Sequence, residues 1–277
     1  MSARSGDKPR AAASWFPGHM AAGIRAVLDV ADLIDVVIEV RDARVPRATA
    51  VADLHPRLRR KPAIVLLNRA DLAEASPTRA WIAKLNDEGL DAFATTATHA
   101  GTLRAARAAL LARPRKRAVL RAAVVGAPNT GKSSVINALG RRKRTVVADR
   151  AGVTRHAGWS KLEAGVELLD TPGLLPPRVE SAEAAWQLSL CGSLPESAFD
   201  VEDTVDEFAR WLEINRPQYA ARADLDAFAN ARGMRRRGGE LDRRNAARRF
   251  VAEFRAGDLF RLTFESPRSG RDSSRPD

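Results

Sequence analysis

Apolar and polar positions along the first half of the chain alternate between helical and strand-like spacing. Residues 19–34 repeat apolar side chains every three or four positions, which predicts an amphipathic helix, and residues 36–40, apolar except for Glu39, predict a buried strand. The further elements predicted in this way are strands at residues 63–67 and 92–95 and helices at about residues 77–88 and 103–111. This alternation favours an α/β fold with a doubly wound, mostly parallel sheet covered by helices on both faces.

A later apolar run, at residues 122–125, ends at a glycine-rich loop with the spacing G-x-x-x-x-G-K-S. Gly126 and Gly131 allow positive φ angles, so that successive amides can point at a phosphate chain on the N-terminus of the next helix. Lys132 would then neutralise the β- and γ-phosphates, a catalytic role, and the Ser133 hydroxyl would ligate Mg²⁺. An ordinary glycine-rich turn is the plain alternative. The loop residues assigned to the nucleotide are Asn129, Thr130, Gly131, Lys132, Ser133 and Ser134.

The element that selects the base is predicted upstream of this loop, at residues 68–71, where Asn-Arg-Ala-Asp follows a strand. The Asp71 carboxylate can accept from both the N1 hydrogen and the 2-amino group of guanine, a donor pair that adenine lacks. We therefore expect GTP and GDP as ligands, with Asn68, Arg69 and Asp71 at the base. Taken alone, the tetrapeptide is better explained by an Asx turn, and an ATPase with a misread base element stays an alternative.

The magnesium side is predicted at residues 170–173, where Asp-Thr-Pro-Gly follows an apolar run at 166–169. In α/β sheets the carboxyl ends of strands carry the ligands. Asp170 is expected to hold Mg²⁺ through a water, and the Gly173 amide to face the γ-phosphate. Thr154, in the polar segment between the two motifs, is the candidate for direct contact with Mg²⁺ and the γ-phosphate. Four turn-forming residues in a row are equally typical of a plain turn.

The order of these motifs, with the base element before the phosphate loop, resembles that of circularly permuted GTPases. Three further stretches resemble the ribosome-biogenesis GTPase A family (RbgA/YlqF). They are Trp-Phe-Pro-Gly-His-Met at residues 15–20, Asp-Ala-Arg-Val-Pro at 42–46 and Phe-Arg-Ala-Gly-Asp-Leu at 254–259. The resemblance implies a circularly permuted GTPase that assembles the large ribosomal subunit, with the subunit precursor and its rRNA as partners.

The resemblance also implies roles that the motifs alone leave open. Residue 174 is leucine where Ras-like enzymes carry a water-orienting glutamine, so the catalytic group must come from elsewhere. The resemblance implies His19 for this role, because the family's Gly-His-Met motif supplies the group. Asn129 is implied to help bind K⁺ beside the β- and γ-phosphates. Thr96 and Ala97 stand where GTPases keep a Ser-Ala loop whose backbone amide contacts the guanine oxygen, with threonine here in place of serine.

One departure from the family pattern and one rival function stay open. Arg69 replaces the lysine of the family pattern, and its bulk can change nucleotide affinity. We expect slow intrinsic turnover that the ribosomal particle raises. The alternative function is a nucleotide-gated RNA-binding scaffold with negligible hydrolysis.

Beyond residue 178 the strand pattern stops and the charges separate along the chain. Residues 180–207 contain eight carboxylates and no lysine or arginine, whereas residues 232–249 contain eight arginines, interrupted by the pair Gly238-Gly239. We predict a small helical domain with an RNA-facing arginine surface, because guanidinium groups pair with phosphate and stack on bases. A solvated helix face is the alternative. The net charge of +12 fits a polyanionic partner, although solubility or a compositional arginine bias explains it equally well.

The predicted domains are a GTPase domain at residues 15–178 and a helical RNA-binding domain at 179–265, with disordered ends at 1–14 and 266–277. The single cysteine excludes an internal disulfide and a cysteine-cluster zinc site, and the four histidines lack metal-ligand spacing. No apolar run approaches the roughly 20 residues of a membrane span. We expect a cytoplasmic monomer, with an organelle as the alternative location.

Overall fold

The computed structural model describes residues 18–51, 54, 58, 61–115, 117–140, 146–147, 158–162, 165–174, 179 and 181–267. Thr154 lies outside the described residues, as do residues 1–14 and 268–277 of the ends predicted to be disordered. Within the described ranges seven strands form one sheet. They are β1 Val36–Asp42, β2 Ala63–Asn68, β3 Asp91–Ala94, β4 Leu120–Val125, β5 Val146–Val147, β6 Gly158–Leu162 and β7 Val166–Asp170.

The strand order is β3-β2-β1-β4-β7-β6-β5. All pairings from β3 through β7 are parallel, and β6 and β5 extend the sheet as antiparallel strands. From β1 the chain moves outward to β2 and β3 and then crosses back to β4 on the other side of β1. The strand order therefore reverses between β1 and β4, and open α/β sheets bind their ligands at such a point.

The predicted α/β class with a mostly parallel sheet is confirmed. The described helices are α1 Gly18–Asp29, α2 Ala75–Asp87, α3 Arg104–Leu111, α4 Lys132–Leu139, α5 Ala182–Cys191, α6 Val201–Asn215, α7 Leu225–Ala231 and α8 Arg243–Ala256. The first helix is shorter than predicted. It ends at Asp29, and a 3-10 turn at Ala31–Leu33 leads the chain to Asp35, whose amide donates to the carbonyl of Arg121 in β4 at 2.8 Å.

The central strand β1 continues beyond its apolar run because its charged side chains are paired inside the fold. The Arg41 guanidinium donates to both oxygens of Glu39 at 2.8 and 2.9 Å, and the Val51 amide also donates to that carboxylate. Directly after β1, Arg44 holds Asp42 with a shortest contact of 2.7 Å, and both side chains are 1% exposed. Buried charges survive only when paired in this way, since leaving one partner alone is strongly unfavourable.

Helices α5 to α8 enclose a separate aromatic core centred on Phe208. The ring of Phe208 meets Phe260 and Phe264 edge-on, with centroids 5.3 and 5.8 Å apart, and it also contacts rings from α5 and α8. The face of α6 that carries Val205, Phe208 and Leu212 is fully buried, as its helical spacing predicted. Edge-to-face packing adds to the burial of each ring, so this cluster gives the helical region a core of its own.

The last described residues return from this helical region to the sheet. The Phe264 amide donates to the Arg44 carbonyl at 2.9 Å, and the indole nitrogen of Trp81 in α2 donates to the Glu265 carbonyl at 2.9 Å. The helical region is thus tied to the first half of the chain. Within the described residues no helix combines the length and the apolar character needed to cross a membrane.

Candidate nucleotide-binding site

A cleft of about 780 Å³ opens at the carboxyl edge of the sheet, above the point where the strand order reverses. Strands β2, β4 and β7 end there, and their parallel register brings the residues after each strand to the same edge. The residues that line the cleft are Arg69, Pro128, Asn129, Gly131, Lys132, Ser133, Ser134, Trp159, Ser160, Asp170, Thr171, Pro172 and Gly173.

The glycine-rich loop has the backbone geometry that the spacing predicted. Gly126, Asn129 and Gly131 have φ angles of 150°, 57° and 96°. A Cβ on Gly126 would lie 2.2 Å from the Val40 carbonyl oxygen, and one on Gly131 would lie 2.4 Å from Nδ2 of Asn68. Both glycines are therefore required by close approach as well as by conformation, and the loop delivers its amides to the start of α4.

Lys132 is the first residue of α4, and its side chain folds back into the loop. Its Nζ donates to the carbonyl oxygens of Gly126 at 3.1 Å and Ala127 at 2.8 Å. Burial lowers the pKa of Lys132 to about 8, and the nearby Asp170 carboxylate opposes that shift. A phosphate placed in the loop would give this ammonium group a negatively charged hydrogen-bond partner.

Two neighbouring side chains bind the base element to the phosphate loop. Nδ2 of Asn68 donates to the Thr130 carbonyl at 2.8 Å, and a guanidinium nitrogen of Arg69 donates to the Asn129 carbonyl at 2.7 Å. Arg69 itself has a φ of 59°. The two sequence elements that we predicted to act together, which are about 60 residues apart in the chain, are thus in direct contact.

The other residues predicted at the base form a second set of contacts around Asn68. The Ala97 amide donates to Oδ1 of Asn68 at 3.0 Å, and the Thr96 hydroxyl donates to the exposed Asp71 carboxylate at 3.0 Å. The Ala97 amide, which we expected at the guanine oxygen, is therefore engaged with Asn68. Asp71 lies beside the cleft rather than among the residues that line it, held by the hydroxyl of Thr96.

Two of the three side chains predicted to ligate Mg²⁺, Ser133 and Asp170, lie next to each other. The Ser133 hydroxyl is 3.4 Å from a carboxylate oxygen of Asp170. A hydroxyl and a carboxylate are the hard oxygen donors that Mg²⁺ prefers, and the ion usually keeps water and substrate phosphates as its remaining ligands. No group of three or more His, Cys, Asp or Glu side chains gathers within the described ranges, so the protein would supply only part of the coordination shell.

The loop after Asp170 packs between the phosphate loop and α1. A Cβ on Gly173 would lie 2.8 Å from Cα of Pro128, and the Leu174 amide donates to the Gly126 carbonyl at 2.9 Å. The Leu174 side chain is fully buried and lies 2.8 Å from the Cβ position of Gly23. Leu174 therefore points into the core. His19 is the second residue of α1, one helical turn before Gly23.

Sequence reasoning missed several residues of the site. Trp159 and Ser160 of β6 line the cleft, but they follow a polar stretch and carry no strand pattern. Nδ2 of Asn129 donates to the Gly192 carbonyl at 2.7 Å, and the Ser193 hydroxyl donates to the Pro128 carbonyl at 2.9 Å. These contacts come from the helical region, and no local motif at residues 192–193 indicates them.

Comparison with known proteins identifies relatives that match nearly the whole chain. A family model described as a 50S ribosome-binding GTPase matches residues 121–206. Ribosome biogenesis GTPase A of Bacillus cereus is 33% identical over 276 residues, covering 91% of this chain and 93% of that protein. The Thermotoga maritima protein of that name is 35% identical over 258 residues, covering 92% and 94%. A GNP-bound structure of YlqF from T. maritima superposes with a TM-score of 0.65 at 31% identity, covering 87% of this chain and 97% of its own.

The lowered pKa of Lys132 predicts that GTP binding weakens in alkali. The amine loses its proton as pH rises through about 8, whereas bound phosphates would hold the proton in place. We expect the Kd of a fluorescent GTP analogue to rise by up to about tenfold for each pH unit above 8, the limit for one coupled proton. Lys132→Arg stays protonated throughout this range, so its Kd should depend less on pH. If log Kd rises equally steeply with pH in the two proteins, the pH dependence does not come from the amine of Lys132.

Proposed function

The chain belongs to the ribosome biogenesis GTPase A family, and on that premise we propose that it assembles the large ribosomal subunit by binding the precursor particle through rRNA in a nucleotide-dependent way. The protein is a GTPase. The observation that carries the proposal is the pair of contacts from Asn68 and Arg69 to the phosphate loop, because they join a guanine-selecting element to a triphosphate cradle. We propose that it acts in the cytoplasm as a monomer.

In this proposal the guanine nucleotide lies across the contact between the base element and the phosphate loop. Asp71 accepts from the guanine edge, Lys132 meets the β- and γ-phosphates, and Ser133 and Asp170 hold Mg²⁺ with Thr154 as a further ligand. Bound Mg²⁺ would neutralise negative charge on the phosphates. The preference for guanine is tested by competition of GTP and ATP for the labelled nucleotide, and equal affinities would refute the role of Asp71.

Water activation needs a group other than Leu174, since that side chain is buried and aliphatic. Helix α1 contacts Leu174 and Pro172, in the loop that follows β7, at Gly23, which comes shortly after its first turn. His19 lies in that turn. We propose His19 as the residue that orients the attacking water, with slow turnover until the ribosomal particle fixes its position.

Replacing His19 separates hydrolysis from binding. We expect His19→Ala to lose about a hundredfold or more of particle-stimulated turnover, within the usual range for a catalytic acid or base, and to keep wild-type GTP affinity. Phosphate release with and without purified large-subunit precursors measures the stimulated turnover. Titration with a labelled GTP analogue measures the affinity for GTP. Lys132→Ala is the contrasting variant, because it should lose binding. Wild-type stimulated turnover in His19→Ala would reject the assignment.

Asn129 is the proposed ligand for K⁺. Its amide nitrogen faces Gly192, which leaves the side-chain oxygen as the group for an ion beside the β- and γ-phosphates. A cation there would neutralise developing charge as an arginine finger does. We expect faster GTP turnover in KCl than in NaCl at equal ionic strength, and no such difference in Asn129→Ala. Asn129→Asp keeps an oxygen and should keep a preference for K⁺. Equal wild-type rates in the two salts would remove the claim.

Most arginines of the basic run are paired within the helical region rather than presented to solvent as free charges. Arg243 contacts Asp206 at 3.1 Å, Arg244 contacts Asp200 at 3.1 Å and Arg248 contacts Glu196 at 3.2 Å. The acidic stretch and the arginine stretch therefore neutralise one another between α8 on one side and α6 with the segment before it on the other. This pairing limits how much of the run can serve RNA.

The unneutralised charge is concentrated in the turn before α8, which we call the arginine turn, residues 234–241. An antiparallel bridge joins Arg235 to Leu241, and Gly238 and Gly239 take φ angles of 110° and 89° at its tip. Arg235 donates only to neutral oxygens, those of Gly239 and Asn230, and Arg237 has no ion pair within the described part of the chain. We propose this exposed turn as the main RNA contact of the helical region.

Matched charge removal tests the arginine turn. Arg235→Gln with Arg237→Gln and Arg244→Gln with Arg248→Gln remove the same formal charge, but only the second pair has carboxylate partners. We expect the first double variant to weaken binding to rRNA and to lower the slope of log K against log salt by about 2, because two phosphate contacts are lost. The double variant at Arg244 and Arg248 should change this slope less. Equal losses of rRNA affinity in the two double variants would contradict a specific role for the arginine turn.

A further inference from the structure

We propose that the C-terminal end of α5 is part of the nucleotide site and that Ser193 is a positioning residue for the phosphate loop. Two consecutive loop residues are held from this side. The Ser193 hydroxyl donates to the Pro128 carbonyl at 2.9 Å, and Asn129 donates to the Gly192 carbonyl at 2.7 Å. Asn129 has a φ of 57°, a conformation that needs support from its surroundings. The proposal rests on nucleotide binding at this loop.

Helix α8 fixes the end of α5 from behind. The Arg255 guanidinium donates to the carbonyls of Leu190 at 3.0 Å and Ser189 at 2.6 Å in the last turn of α5, and the Ser189 carbonyl also accepts from the Gly192 amide. Gly192 follows in the left-handed region with a φ of 90°, and a Cβ there would lie 3.1 Å from Nε of Arg255. The carbonyl that Asn129 contacts is thus presented by a rigid helix end rather than by a free loop.

The helical region also holds the base half of the site. A Cβ on Gly257 would lie 2.5 Å from Cδ2 of Leu72, directly after Asp71, and the Leu262 amide donates to the Leu72 carbonyl at 3.2 Å. The Thr263 amide donates to the Glu74 carboxylate at 3.1 Å. One region therefore contacts the phosphate loop and the base element together, although the chain supplies them in separate halves.

A buried ion pair links the end of α5 to the phosphate loop. Asp42 lies between Arg44, whose guanidinium reaches the Cys191 carbonyl at 3.4 Å, and Arg69, which is 3.9 Å away and donates to the Asn129 carbonyl. Burial, the largest single effect, would raise the pKa of Asp42, but the charge and hydrogen bonds of Arg44 and the charge of Arg69 together hold that pKa below its usual value. The charged carboxylate therefore fixes both arginines, one at the end of α5 and one on the phosphate loop.

The consequence is a coupling between two events. Docking of α5 stabilises the loop that holds the phosphates, and nucleotide on the loop stabilises the docking of α5, by the same factor. Any partner that displaces the helical region would speed nucleotide release. A purely structural role for Ser193 would lower stability and leave the release rate unchanged.

The test compares Ser193→Ala with Ser197→Ala, the same change at an exposed serine of the same region. The measured quantity is the dissociation rate of mant-GDP from the full chain, at a temperature where each protein is folded. We expect Ser193→Ala to release mant-GDP about threefold to tenfold faster than wild type, the effect of one lost hydrogen bond, and Ser197→Ala to match wild type. Arg255→Ala, which frees the end of α5, should be at least as fast.

Dissociation rates of Ser193→Ala and Arg255→Ala equal to that of wild type would overturn the proposal, even if both unfold at a lower temperature. Hydrogen exchange gives the reciprocal measurement, since the amides of residues 189–193 should be better protected in wild type with GDP than without it. Equal protection would also count against the coupling. Failure of wild type to bind mant-GDP would instead refute the proposed nucleotide site.

Discussion

The contact between the base element and the phosphate loop is the constraint on which the rest of the molecule depends. In the proposed site the base and the triphosphate belong to one covalently connected ligand of limited length, so the groups that recognise them must be held within its reach. Asn68 meets this requirement with a single amide group, whose nitrogen binds the Thr130 carbonyl and whose oxygen binds the Ala97 amide. Gly131 has to be glycine for the same reason, since any side chain there would displace Asn68.

Charge inside the fold serves the same purpose. The pairs Glu39 with Arg41 and Asp42 with Arg44 lie at the carboxyl end of the central strand, where apolar residues would pack with less cost in desolvation. A paired guanidinium can reach several acceptors at fixed angles, and Arg44 uses this to contact Asp42 and the end of α5. These pairs give the joint between the sheet and the helical region a defined geometry.

The sequence predicted those parts of the molecule in which local pattern and local structure coincide. The strands β1, β2 and β4 were visible as apolar runs, and the loop at residues 126–133 was visible from glycine and lysine spacing. The strand β6 was not visible, because Gly158–Leu162 is short and contains serine and lysine. The arginine run at residues 232–249 was interpreted from its own composition, without the carboxylates that pair with it in the folded chain. Whether Arg244 is free or paired depends on Asp200, which lies 44 residues away and reaches it only in the folded chain. The same holds for Ser193 and its contact with the phosphate loop.

The strap formed by residues 257–265 has a consequence for biogenesis of the protein itself. Its hydrogen bonds to Leu72, Glu74 and Arg44 support the base half of the proposed site. Residues 257–265 are nevertheless translated after every helix and strand described above. A nascent chain that already carries the sheet and the phosphate loop still lacks this strap. The contacts that support the base half of the proposed site therefore form last, when residue 265 has left the ribosome that synthesises it.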